Sequence, residues 1–163
     1  MVYASAVVLA LSGFAKEAQP LLDQTLKEYH PTDTLAKAVY VPTICAALDL
    51  TNGNAPAAID ELQAAAAYDA RNFRVMYLRA SAYLAANRPS DAAVEFQKMI
   101  DRSHNNLNFN TPIARLGLGR ALAQSGDTAK SRTAYQDFFA AWKDADPDIP
   151  ILIAAKKEYA QLK

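Results

Sequence analysis

One short pattern recurs four times along this chain, and it constrains the fold more tightly than any single residue does. When the four copies are anchored at Gly13, Gly53, Asn87 and Gly126, equivalent offsets carry equivalent side chains. Seven residues before the anchors stand Ala6, Ala46, Ala80 and Gly119. Five after them stand Ala18, Ala58, Ala92 and Ser131, and nine after them Leu22, Leu62, Phe96 and Tyr135. Small residues belong where two helices approach closely, and large apolar residues where a helix fills the gap beside its partner. The anchors lie 40, 34 and 39 residues apart, a spacing that implies a stacked array of helical hairpins. The expected fold is therefore all-α: a right-handed solenoid of about four helix-turn-helix repeats.

The pattern predicts a helix A, a turn at the anchor and a helix B in each unit. As one repeat domain over 1–163, the units cover about 1–30, 32–68, 71–102 and 111–144. In unit one, helix A runs over Val2–Ser12 and helix B over Ala15–Tyr29. Unit two starts after Pro31, where Thr32, Asp33 or Thr34 can cap a helix. Pro42 falls inside its apolar pattern and predicts a kink, because proline removes a backbone donor. Asn87 replaces glycine in the third turn, being among the residues most tolerant of a left-handed backbone. A polar linker over 103–110 precedes Thr111-Pro112, read as N-cap and first residue of helix 4A. A last helix, about 150–162, puts Ile151, Leu152, Ala155, Tyr159 and Leu162 on one face. Lys156, Lys157 and Glu158 fall largely on the other, as suits a helix capping the end of a solenoid.

These positions resemble the tetratricopeptide repeat, which wants a small residue at its eighth place, a large one at its eleventh, then glycine, alanine and an aromatic. Unit four fits best, with Gly119, Leu122, Gly126-Asp127 and Tyr135, and Ser131 in place of alanine. Unit three supplies Ala80, Tyr83, Ala92 and Phe96. Unit two departs by placing Asp49 where a large apolar residue is usual. The run Ala114–Ala121, continued through Tyr135–Phe139 and Trp142–Pro150, also resembles the repeat-bearing C-terminal region of large bacterial proteins. Those begin with a eukaryotic-type serine/threonine kinase or a winged-helix regulator. That likeness implies a fragment of a signalling protein, with a cytoplasmic or periplasmic setting left open.

Nothing in the chain assembles into a catalytic motif: no glycine-rich phosphate loop, no His-Arg-Asp and no Asp-Phe-Gly. Lys plus Arg and Asp plus Glu are 17 each, a balance that argues against a non-specific nucleic-acid binder. No stretch reaches the roughly 18 uninterrupted apolar residues of a membrane span. The single cysteine, Cys45, excludes an intrachain disulfide and a multi-thiol zinc site, and its apolar neighbours predict a buried structural thiol. Asp144, Asp146 and Asp148 alternate without the glycine and distal glutamate of a calcium loop, so they read as a solvated turn. His30 and His104 each follow a B helix and suit its negative end. Glu17, Glu28, Glu61 and Glu95 read as wet B-helix surface. The chain is expected to be no enzyme and to use no cofactor or metal.

Binding is the function that remains, because stacked A helices line a concave groove. The groove-facing offsets hold Tyr3, Tyr40, Thr43, Arg74, Tyr77, Ser81, Arg120 and Gln124. Tyrosine and arginine are the residues that concentrate interface energy. Clamps for a C-terminal carboxylate use lysine and asparagine at places that here hold Tyr3 and Val7, Thr43 and Ala47, Tyr77 and Ser81, Leu116 and Arg120, so that clamp is missing. The expected function is a non-catalytic protein-interaction module for a peptide or partner domain. The alternative is a structural or oligomerisation arm, self-association included, that positions an attached kinase or regulator domain. On the first reading, Arg74, Tyr77 and Arg120 form one patch for an acidic peptide.

Overall fold

The computed structural model describes residues 2–29, 32–103 and 110–162. The expectations for His30, for His104 and for most of the 103–110 linker lie outside them. Among the described residues the chain is all-α and contains no strand. Its helices are α1 (Val2–Leu11), α2 (Ala15–Glu28), α3 (Val41–Thr51), α4 (Ala55–Ala64), α5 (Phe73–Ala85), α6 (Pro89–Arg102), α7 (Asn110–Gln124), α8 (Thr128–Ala141) and α9 (Pro150–Gln161). Odd-numbered helices from α1 to α7 are the A helices, even-numbered ones the B helices, and α9 follows the last hairpin.

The anchors explain the turns. Gly13, Gly53, Asn87 and Gly126 have φ of 86°, 78°, 56° and 85°, the left-handed conformation that ends a helix. Each of these residues donates its N–H three residues back, to Ala10, Leu50, Leu84 and Ala123 in turn. In repeats one, two and four the next residue bonds five back as well, Phe14 to Leu9, Asn54 to Asp49 and Asp127 to Leu122. The last carbonyls of each A helix are thereby satisfied, and the chain reverses at once into helix B.

The small positions are buried to completion: Ala6, Ala46, Ala80, Ala18, Ala58, Ala92 and Ser131 are all 0 % exposed. In the fourth repeat the reason is visible, because Ser131 Oγ donates to the carbonyl of Gly119 at 2.8 Å across the α7–α8 hairpin. Serine in place of alanine thus keeps the close approach and adds a bond. Asp49, at the site expected to be large and apolar, stays half-buried, and its carboxylate accepts from Asn54 Nδ2 in the turn.

The chain forms two compact units, Met1–Asn87 and Arg88–Lys163. In the first, α1 packs on α2 and α3, α2 on α3, α3 on α4 and α5, and α4 on α5. Asp33 proves to be the cap of unit two, its carboxylate accepting from the Ala36 N–H at 3.0 Å. The kink expected at Pro42 takes the form of a π-helical turn over Ala36–Tyr40, in which the Val41 N–H reaches five residues back to Ala36. Pro42 then sits in the first turn of α3, where its missing donor costs little. Helix 2B, expected through residue 68, stops at Ala64 and tightens into a 3₁₀ helix over Ala65–Arg71. Asn72 restarts the chain as N-cap of α5, accepting from the Val75 N–H.

In the second unit, α7 packs on both α6 and α8. Its helix starts at Asn110, one residue before the expected cap Thr111, which is instead buried within the helix. Leu116, Tyr135, Phe138, Leu152 and Ala155 form the core, with Trp142, Ile151, Tyr159 and Leu162 packed against it. The apolar face read from the α9 sequence is the face that docks. Glu95 corrects one expectation: it is 6 % exposed rather than wet, and pairs with Lys98 at 2.7 Å.

Candidate functional site

In the first unit three A-helix residues converge. Tyr40 and Arg74 stand thirteen residues before their anchors, and Tyr3 ten before its own. The rings of Tyr3 and Tyr40 lie 4.6 Å apart at 32°, and the Arg74 guanidinium sits over the Tyr3 ring at 5.2 Å. Tyr29, just past the end of α2, brings a third ring to 5.6 Å from Tyr40. The π turn ends on Tyr40, and such turns recur where a helix serves function. Arg74 is exposed, Tyr3, Tyr40 and Tyr77 are half-buried, and the Tyr3 hydroxyl is buried with no hydrogen-bond partner among the described residues. A guanidinium on an aromatic face, open to solvent on its other side, is a preorganised anion acceptor.

Not every residue expected on that wall faces solvent. Thr43 is 0 % exposed, and its hydroxyl donates to the Val39 carbonyl one turn back. Ser81 is half-buried and donates to the Tyr77 carbonyl at 2.8 Å. Arg79, which the sequence reading passed over, is 3 % exposed and reaches the Leu62 carbonyl in the last turn of α4. Only the burial of its whole helix face could have signalled it. Cys45 is half-buried; burial first, then the nearby Glu61 and Asp49 charges, push its thiol up to about 11.

Arg120 and Gln124 belong to the second unit. Gln124 is exposed, whereas Arg120 is engaged: its Nε and Nη2 each donate to Glu158 on α9 at 2.9 Å, in a two-pronged pair. Tyr135 Oη donates to the same carboxylate at 2.8 Å. Glu158 therefore turns inward, against the expectation that it lies with Lys156 and Lys157 on the charged face of α9. Burial alone would raise its carboxyl, but the bonds from Arg120 and Tyr135 outweigh that and hold it below the ordinary range. Burial, helped by the Glu158 charge, raises the Tyr135 phenol well above its usual value. Arg132 stacks on Tyr159 at 4.6 Å and donates to the Leu162 carbonyl, a second tie between α8 and α9. Two of the three residues read as one acidic-peptide patch, Arg74 and Tyr77, lie in the first unit, and Arg120 holds the cap helix of the second.

Among the described residues no three His, Cys, Asp or Glu side chains are grouped as metal ligands, and no helix is long and apolar enough to cross a membrane. No curated protein and no solved structure matches the chain. A family model, the tetratricopeptide repeat, matches residues 46–106, from within α3 past the end of α6. With the anchors Gly53 and Asn87 inside that segment, and the same left-handed turns and buried small positions before and after it, the chain is similar to the tetratricopeptide repeat family.

Proposed function

We propose that this chain is a non-catalytic interaction module that takes an extended, carboxylate-bearing peptide on the A-helix face of its first unit. Tetratricopeptide repeats mediate protein–protein interaction, and the peptide class is the finer reading. The observation that carries it is the Arg74 guanidinium held over the Tyr3 ring beside Tyr40. Among the described residues Arg74 makes no ion pair, so an incoming carboxylate displaces none of their carboxylates. The half-buried Tyr40 and Tyr77 supply flat apolar area at low entropic cost, as rigid aromatic anchors do at interfaces.

The test is a library of fluorescent acidic decapeptides, each paired with a copy whose carboxylates are amides, read by fluorescence anisotropy. Arg74→Ala should weaken binding of the best acidic peptide by roughly ten- to a hundredfold, the scale of a hydrogen bond to a charged group. Tyr40→Ala should weaken it too. Equal affinity for the acid and amide forms, or no loss in Arg74→Ala, would sink the reading and leave the positioning arm as the better one.

A further inference from the structure

The ring cluster at Arg74 does not end at Tyr40. Tyr29 leaves α2 in an extended conformation, with its N–H on the Thr25 carbonyl. Its ring lies 5.6 Å from that of Tyr40, and the same residue lines a cavity of about 340 Å³. Thr25, Leu26, Asp33, Ala36, Lys37 and Val41 complete the lining. One surface of the first unit thus runs from the Arg74 guanidinium across Tyr3, Tyr40 and Tyr29 into the cavity.

The lining suits an apolar group. Leu26 is 57 % exposed, whereas the residues equally placed after the third and fourth anchors, Ile100 and Phe139, are half-buried. Thr25 is fully buried, and its hydroxyl already donates to the Leu21 carbonyl at 2.7 Å. The Asp33 carboxylate accepts from the Ala36 N–H at 3.0 Å. Lys37, one turn on from Asp33, is exposed and makes no ion pair among the described residues.

We propose that this cavity takes a large aliphatic side chain of the same acidic peptide that Arg74 holds, with a further carboxylate of that peptide on Lys37. The assignment rests on the Arg74 reading and adds the peptide's pattern to it. Charge and continuity select this occupant: a cation without an ion pair stands at each end of the surface, and the stretch between them is aromatic and aliphatic. A side chain seated in a pocket beside charged contacts gives a short peptide both affinity and register. The step of 5.2 Å from Arg74 to Tyr3 and the ring-to-ring steps of 4.6 and 5.6 Å set the span. Roughly four to five residues of extended peptide, at about 3.3 Å each, cover it. The expected pattern is an acid, a spacer of roughly three or four residues, then leucine with a second acid beside it.

Fluorescence anisotropy on decapeptides with one glutamate and one leucine, placed one to seven residues apart, measures the span. Affinity should peak at a separation of roughly four or five residues. There it should exceed that of the leucine-to-serine peptide about tenfold, as burial of one aliphatic side chain provides. Leu26→Gln changes an exposed position, so the fold should persist by far-ultraviolet circular dichroism. It should erase the leucine gain and leave the serine peptide, which depends on Arg74, bound as before. A second glutamate beside the leucine should strengthen binding several-fold in the parent chain and not in Lys37→Gln. A leucine gain that is absent, indifferent to spacing or intact in Leu26→Gln would overturn the proposal. The cavity is tested apart from Arg74 by nuclear magnetic resonance in Arg74→Ala. There a leucine peptide with every carboxylate amidated should still shift the amide signals of Leu26, Ala36 and Val41. Unmoved signals would remove the cavity, whereas shifted signals together with equal affinity for acid and amide peptides would sink the Arg74 reading alone.

Discussion

A methyl group placed on Gly117 would lie 2.3 Å from the ring of Phe96, so α7 meets α6 at van der Waals contact with no room for a side chain. Phe96 is 1 % exposed, which leaves its ring nowhere to go. Gly117→Ala gains about 1 kcal/mol of helix propensity, but the overpacked ring should cost more. The expected net loss is about 1–2 kcal/mol by urea unfolding. Adding Phe96→Leu should recover part of it, because the two positions share one contact. A stabilised single variant would show that the ring swings aside freely.

Asn87 is the one non-glycine anchor, with φ of 56°. Alanine there must take a left-handed backbone without a side chain that can bond locally, at a cost of about 1 kcal/mol. Asn87→Gly should be neutral within a few tenths of a kcal/mol. The pair of thermal midpoints tests this; equal midpoints for the alanine and glycine variants would contradict it.

Stability should fall on both sides of neutrality, for two different reasons at one cluster. Glu158 is held below its unfolded value of 4.5, so its contribution is full above that pH. It is lost as pH falls through the lower folded value, because the unfolded chain takes the proton first. Tyr135 is raised above its unfolded value of 10.0, so above that pH the unfolded phenol ionises while the folded one cannot, and stability drops again. Glu158→Gln should flatten the acid limb and cost about 1–2 kcal/mol at neutral pH, a figure kept low because the pair is partly solvated. An unchanged acid limb in urea midpoints measured against pH would remove Glu158 from the account.

Cys45 should be nearly inert in the folded protein. With its thiol pushed up to about 11 from 9.0, the thiolate fraction at neutral pH drops about a hundredfold. Reaction with an aromatic disulfide reagent should therefore be slow in buffer and become fast in urea. A folded rate matching the unfolded one would mean that burial does not control this thiol.

The local structure was legible from the residues because each repeat is decided over short distances. Four left-handed anchors, a small residue on either side and a large one beyond are enough to specify a hairpin, and those offsets are the buried ones. The apolar face of α9 was legible for the same reason, since helical spacing is a local property. Tertiary packing alone decided the rest. Proline at position 42 announces a disturbance, but its form, a π turn that ends on Tyr40, is seen only in the folded chain. Thr43 and Tyr40 looked alike as groove residues; burial took one away and ring stacking kept the other. Glu158 reads as a surface charge in sequence, yet Arg120 and Tyr135, 38 and 23 residues away in the chain, draw it inward. A helix pattern says which side chains share a face, whereas the partner a charge meets there depends on residues far off in sequence that only the packed structure brings within reach.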